Sequence, residues 1–483
     1  MKLARDKIFP PVPCLFLFVC LICFFIAGLI ADFIPGLAGR AYGQSQFDTD
    51  DEQIIFQEEG WPDMEDKTHL TQDDPLHPEP TWTDQFFEES TVTLGYRFAH
   101  GVEAGPKIID NNVFVRLEYD TLFRDYLFLK FDGKCSVHPK TDHRADAEDR
   151  DVLVDAWVRQ AFVQAGYDNF SLKIGHQINV WGKADTVAIT DVVSARDLSE
   201  FIFIRLEDAR LGQFMISGNF YSRYFNTFLF YSPLPETDRE PATNSRYDRA
   251  PESQGTIVVL EKSPQFGDSE FGVKIDKIIS KTDVSLMAGR FFSNSARYAY
   301  QGYDLDAKPV ATKTYPAYTM AGAALSHAWQ QFLFKMELAY KFGFALQGND
   351  ADGLFRVEKK DVIDAAIGVE YNANDRYQMS VELSNRHIRS GGSGLTQDCD
   401  EKDSAFYYMF QKDFLNQTLD FEYNFYCHVQ KKDRFHRFQL TYDLTDSLEI
   451  IADYTVFNAR DKDSLMWQYQ KEDRISLEIK SFF

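Results

Sequence analysis

Alternation with a period of two recurs from Thr91 to the last residue, and no other feature restricts the fold so strongly. In the final segment, Ile475, Leu477 and Ile479 alternate with Arg474, Ser476, Glu478 and Lys480. Successive side chains of a strand point to opposite faces, so one face here is apolar and the other charged. Leu419, Phe421, Tyr423 and Phe425 repeat the pattern, as do Tyr377, Met379, Val381 and Leu383, and Phe332, Phe334, Met336 and Leu338. A soluble amphipathic edge strand has the same local pattern; repetition at the length of a tilted membrane strand, roughly 9–11 residues, separates the two.

Composition agrees with a sheet that meets lipid. Of 483 residues, 44% are apolar and 15% aromatic, with 43 Phe and 24 Tyr. Aromatic residues gather where lipid meets water. The mean hydropathy is −0.35, and beyond the N-terminus no apolar run has the length of a spanning helix. A polytopic helical membrane protein is excluded. The net charge of −23 argues against a nucleic-acid partner. Much of it is local: residues 44–90 hold fifteen Asp or Glu and one Lys, a net of −14.

Residues 1–43 read as an export signal. Lys2, Arg5 and Lys7 precede an apolar stretch of eighteen residues, Cys14 to Ala31, and Ala41-Tyr42-Gly43 offers a small-x-small cleavage site. The apolar stretch is long for a cleaved signal, and an uncleaved anchor is the alternative. Cys14, Cys20 and Cys23 lie inside it without a preceding small residue, which argues against a lipoprotein. Residues 44–90, acidic and aperiodic, read as a disordered periplasmic arm. Cys135, Cys399 and Cys427 remain, an odd number; Cys399 and Cys427 could pair, or all three stay free. No Cys or His spacing suggests a metal, and no cofactor is expected.

Residues 91–483 predict an all-β, closed antiparallel transmembrane barrel of eighteen strands, with sixteen as the alternative. The expected strands are 91–99, 112–121, 125–136, 153–166, 170–180, 212–220, 224–232, 269–279, 283–294, 316–328, 330–344, 361–372, 376–389, 404–413, 416–428, 434–444, 447–458 and 473–483, with 256–260 a further fragment. Short turns (Asp168-Asn169, Ser280-Lys281, Asp446-Ser447) alternate with long loops such as 182–211, 233–268 and 295–315. An even count places the short turns together on the periplasmic side.

The 182–211 connection differs from a solvated loop. It carries Val187 to Ile189, Val192, Val193 and Phe201 to Ile204 beside both signs of charge. Folding inward would bury the apolar groups and leave Lys183, Asp185, Asp191, Arg196, Asp197, Glu200, Arg205, Glu207, Asp208 and Arg210 to form a pore constriction. The competing reading is a loop that packs the outer mouth shut with its charges paired internally. Inward parity on the strands assigns Lys173, Gln177, Lys335, Glu337, Glu382, Arg386, Arg437, Glu449, Asp453, Arg474 and Glu478 to the lumen wall. Such charges set the field a passing solute feels, or simply pair between strands.

Leu172-Lys173-Ile174-Gly175-His176-Gln177-Ile178-Asn179-Val180-Trp181-Gly182, followed by Asp191-Val192-Val193, resembles a segment of a bacterial outer-membrane porin-like family of largely unassigned function, similar in layout to substrate-selective porins and export barrels. His176 stands where Arg is more usual. The C-terminal strand ending on Phe483 resembles the signature by which Gram-negative outer-membrane barrels are recognised for assembly, with Ser481 a departure from it. The resemblance implies a barrel and a pore. The expected partners are therefore outer-membrane lipid and lipopolysaccharide, the assembly machinery acting through Phe483, and a small hydrophilic solute.

Barrel hydrolases set the enzymatic alternative. His387 and Ser390 are three apart and face opposite sides of a continued strand, which excludes a nucleophile–base contact. Glu422 and His428 stand too far apart, and Ile451 separates Glu449 from Asp453. The sequence favours a non-enzymatic outer-membrane channel exported by a cleaved signal, with a poreless export or surface component as the main alternative.

Overall fold

A computed structural model of the chain describes residues 89–102, 107–123, 126–184, 189–250, 257–306, 308–349, 354–373, 376–389, 402–462 and 464–483. The expected signal, nearly all of the acidic arm, Asp185, Ser390 and Cys399 lie outside them.

The strands are β1 (Ser90–Gly101), β2 (Ile108–Phe123), β3 (Leu127–Pro139), β4 (Val152–Tyr167), β5 (Phe170–Gln177), β6 (Gln213–Tyr221) and β7 (Asn226–Ser232). Then follow β8 (Val258–Lys262), β9 (Glu270–Ile279), β10 (Thr282–Phe292), β11 (Arg297–Tyr303), β12 (Pro309–Thr314), β13 (Ala317–Trp329) and β14 (Phe332–Asn349). The last seven are β15 (Phe355–Asn372), β16 (Gln378–Arg389), β17 (Lys402–Phe414), β18 (Leu419–His428), β19 (Asp433–Thr445), β20 (Leu448–Asn458) and β21 (Arg474–Phe482).

Eighteen of them form one antiparallel sheet. Each pairs with the next in sequence, except that β7 passes to β9 and β10 to β13. β1 closes the barrel on β21, from Thr93↔Phe482 to Gly101↔Arg474. Closure removes both free edges, which lipid could not hydrogen-bond. The expected eighteen strands are all present, with ends that move by a few residues.

The short turns gather at one end. In three of them, Asp168, Ser280 and Gln330 take φ of 51°, 58° and 54°, the left-handed geometry that tight hairpins require. The long connections share the other end. The fragment expected at 256–260 is β8, which pairs parallel with β12, and β12 pairs with β11 in a separate three-stranded sheet. The expected 295–315 loop thus holds a hairpin; its strands are too short and too polar for their alternation to stand out. A short helix, α1 (His143–Ala147), follows β3.

The outward face is apolar over its whole circumference. Leu94, Val115, Ile216, Leu229, Leu286, Leu338, Ile367, Leu383, Leu440 and Leu477 are all exposed. Their alternates point inward: on β21, Arg474, Ser476, Glu478 and Lys480 are buried between exposed Ile475 and Leu477. A soluble monomer seldom exposes an apolar patch beyond a few hundred Å². Among the described residues no helix is long and apolar enough to cross a membrane.

The interior departs from the uniformly wet wall that alternation suggests. Phe228 and Phe230 alternate with exposed Leu229 and Tyr231, yet they belong to a buried cluster with Met215, Met287, Phe291, Tyr318 and Met320. Trp181, Ile189, Val192 and Val193 of the β5–β6 connection complete it. One side of the interior is therefore apolar because it packs protein.

Candidate functional site

The β5–β6 connection leaves the sheet through the glycine-bearing segment singled out above. Gly175 has φ +137°, and a Cβ there would lie 2.3 Å from the Ala161 carbonyl oxygen. A Cβ on Gly182 would stand 3.0 Å from the Asp191 Cβ. Both positions need the missing side chain for close backbone approach. Gln177, fully buried, donates from Nε2 to the Met215 carbonyl at 2.9 Å and accepts from Ser217 Oγ at 2.8 Å. Trp181 meets Phe230 and Phe291 edge to face, with centroids 5.5 and 5.6 Å apart.

Glu337 on β14, 1% exposed, holds the same segment. Oε1 accepts from the Lys183 backbone N–H and from that of Ala184 at 2.5 Å; Oε2 accepts from Thr190 N–H at 3.1 Å and Thr190 Oγ1 at 2.8 Å. Lys183 Nζ reaches Asp283 on β10. Asp191 accepts from Arg210 Nη2 at 2.9 Å and Arg196 Nη2 at 3.3 Å.

The second half of the connection is held by charge and by a second apolar cluster, in which Phe203 joins Ala99, Ile109, Tyr247, Phe457 and Tyr469. Glu200 meets Arg97 on β1 at 3.2 Å. Arg205 meets Glu478 at 2.9 Å and Asp453 at 3.6 Å. Asp208 accepts from Lys134 on β3 at 2.5 Å and lies 3.7 Å from Arg159. Glu207 meets Lys480 at 2.9 Å, and Arg239 meets Asp197 at 3.6 Å. Burial pushes the Asp208 and Glu200 carboxyls up, but Lys134 and Arg159, and Arg97, more than offset it and hold both below the usual carboxylate range. Burial instead raises Asp197, despite Arg239. Asp142, the N-cap of α1, accepts from the N–H of Arg144 at 3.0 Å and of Asn111 at 2.9 Å. Burial opposes its ionisation, but the nearby His138 and the Asn111 N–H hold it at about 2.

Nine of the ten residues expected at a constriction are thus described, and each has a charged or backbone partner; Asp185 lies outside the described residues. Of the expected wall, Glu337, Asp453, Glu478 and Gln177 meet the connection or its base. Arg437 pairs with Asp453 at 2.9 Å, Glu449 with Lys480 at 3.3 Å and Arg474 with Asp110 at 3.0 Å. Lys173 lies over the Phe162 ring at 4.2 Å. Lys335 pairs with Glu370 at 2.9 Å and Arg386 forks Asp364 at 2.7 and 2.8 Å. Glu382 is buried on β16. Lys335, Glu382 and Arg386 are not brought to the charged half of the connection.

Sequence reasoning missed Arg97, Lys134 and Arg159, which carry much of the charge that meets the connection. Phe114 on β2 and Trp157 on β4 share the inner face with this charge, so parity there gave a weak signal. It also missed Asp110, Arg144 and Asp155 near the long-loop end. Arg144 meets Asp155 at 2.6 Å, and Arg239 meets the same carboxylate.

The model of the family described as "Protein of unknown function (DUF1302)" matches residues 81–483, and the chain belongs to that family. No curated protein matches. Among solved structures the chain is similar to OccAB3 of Acinetobacter baumannii, with 11% identity over 82% of this chain and 98% of that chain and a TM-score of 0.47. It is also similar to OccK11 (OpdR) of Pseudomonas aeruginosa, with 10% identity, coverage of 82% and 97%, and a TM-score of 0.44. A third is OmpF of Salmonella typhi, in complex with Daunomycin, with 11% identity, coverage of 82% and 97%, and a TM-score of 0.40.

Proposed function

We propose that this member of the DUF1302 family is an outer-membrane channel for passive passage of small hydrophilic solutes, narrowed by residues 182–211. The observation that carries the reading is the way the β5–β6 connection is held. One carboxylate, Glu337, gathers four donors from it, and Arg97, Lys134 and Glu478 hold its other half against the interior wall. A segment fixed in this way sets the width and the local field of whatever path remains.

A closed sheet with an apolar exterior supports the membrane assignment, since only such a surface is at ease in lipid. The Phe483 side chain is 74% exposed, while its backbone exchanges hydrogen bonds with Val92 at 2.9 and 3.1 Å. Export by residues 1–43 belongs to the same proposal, as do contacts with lipid and lipopolysaccharide.

The dense packing around Trp181 and Glu200 favours one rival, a barrel whose described connection seals it. Planar-bilayer recording of refolded protein separates the two. A channel passes ion current, and deleting residues 186–204 raises its conductance. Silence from both the full protein and the deletion, with heat-modifiable gel mobility showing both folded, would retire the channel reading.

A further inference from the structure

Three side chains from separate parts of the chain converge at the long-loop end without satisfying one another. Asp110 comes from the start of β2, His143 from the first residue of α1 and Glu200 from the β5–β6 connection. One ligand atom from each lies within 4.8 Å of the others. Asp110 is 0% exposed and Glu200 4%, and the His143 side chain is 6% exposed. His143 Nε2 and Asp110 Oδ1 stand 3.5 Å apart. Asp110 Oδ1 and both ring nitrogens of His143 lack a hydrogen-bond partner among the described residues. Burying a polar group without a partner is costly, so such a convergence calls for a ligand.

We propose that Asp110, His143 and Glu200 bind a first-row divalent transition-metal ion. One imidazole nitrogen with two carboxylate oxygens suits zinc and its neighbours. Calcium and magnesium prefer a fuller oxygen shell. Ligands at about 2.1 Å from zinc stand about 3.4 Å from one another in a tetrahedron, so small side-chain rotations close the cluster. Each carboxylate is already oriented by a guanidinium: Arg474 Nη1 donates to Asp110 Oδ2 at 3.0 Å and Arg97 Nη1 to Glu200 Oε2 at 3.2 Å. Outer partners of this kind aim metal ligands. The same two cations weaken the affinity by competing for the carboxylates' charge. A small cavity bordered by Arg97, His138, Arg144 and Glu200, and by Phe114, Trp157 and Ile204, adjoins Glu200 and has room for water as a further ligand.

A bound ion would join the rim of the wall, the β3–β4 loop and the β5–β6 connection at one point. The binding itself does not depend on the channel reading. The test is titration of chelator-treated, detergent-solubilised protein with zinc in a calorimeter, with cobalt absorption as the second readout. One ion per chain is expected, with a cobalt spectrum showing nitrogen and oxygen ligands. His143→Ala carries no ion pair to an arginine, so it keeps the fold, and it is expected to weaken zinc at least about 100-fold, since even outer-shell changes cost 10–100-fold. His100→Ala, on β1 and outside the cluster, is expected to bind as the unaltered protein does. A protein that retains no more zinc than His143→Ala overturns the proposal. Equal loss in His100→Ala does the same, because the binding would then belong to scattered surface histidines.

Discussion

The carboxylate of Glu337 offers the sharpest perturbation of the β5–β6 connection. It is buried and accepts from the N–H groups of Lys183, Ala184 and Thr190 and from Thr190 Oγ1. A hydrogen bond to a charged acceptor is worth about 1.5–3 kcal/mol net, and bonds to one shared acceptor do not add in full. Glu337→Ala therefore weakens docking of the connection by roughly 3–6 kcal/mol, or two to four powers of ten in its equilibrium. Glu337→Gln keeps the shape and one carbonyl oxygen but turns an NH₂ toward two donors, so about half that loss is expected. Hydrogen exchange reads the effect directly: the amides of Lys183, Ala184 and Thr190 lose protection by the same factors, while those of β14 and β15 keep theirs. On the proposed channel reading, the same variants give larger or noisier conductance in bilayers. Unchanged exchange at those three amides in Glu337→Ala would refute the reasoning, because it would mean that the connection is held without the carboxylate.

Three further outcomes follow from other parts of the structure. Trp181→Ala empties a site walled by Phe228, Phe230 and Phe291 and is expected to cost about 3–5 kcal/mol in urea unfolding; a loss under ~1 kcal/mol would show that the cluster collapses freely. Leu477→Arg on the outward face is expected to destabilise the folded barrel in lipid by about 2–4 kcal/mol; a cost under ~1 kcal/mol would overturn the assigned face. Asp142 and Asp208 ionise more readily folded than unfolded, so their stabilisation is complete above the unfolded carboxylate pKa of about 4 and fades as pH falls through the folded values. Protease susceptibility of α1 and the β5–β6 connection should therefore rise as pH drops from about 4 toward the Asp142 value of about 2, and a flat profile would contradict the pairing.

Strand number and facing were legible because lipid makes one demand of every strand, and Ile475, Leu477 and Ile479 answer it in a pattern that needs no knowledge of their neighbours. The inner face answers to partners instead. Glu337 could be placed inside from parity alone, but nothing local showed that its partners would be the N–H groups of residues about 150 positions away. Phe228 and Phe230 read against the pattern for the same reason. The pairing of Arg97 with Glu200 spans 103 residues of sequence, and only closure of the sheet brings the two together. The segment around Gly175 and Gly182 stood out earlier than its role could be derived, since the steric need at both positions comes from Ala161 and Asp191.

The two sides of the interior explain the mixed composition of the connection. Its early part meets Phe230, Phe291 and Met320 and supplies Trp181, Ile189, Val192 and Val193. Its later part meets Arg97, Lys134 and Lys480 through Glu200, Asp208 and Glu207, and sets Phe201 and Phe203 against Phe457 and Tyr469 between them. Exchanging the two would leave charges against phenylalanine and aliphatic groups against unpaired guanidinium, each costing several kcal/mol. The order of apolar and charged residues along the connection therefore carries information about the wall, strand by strand. A segment matched to both sides has one docked position, whether it narrows a path or seals it.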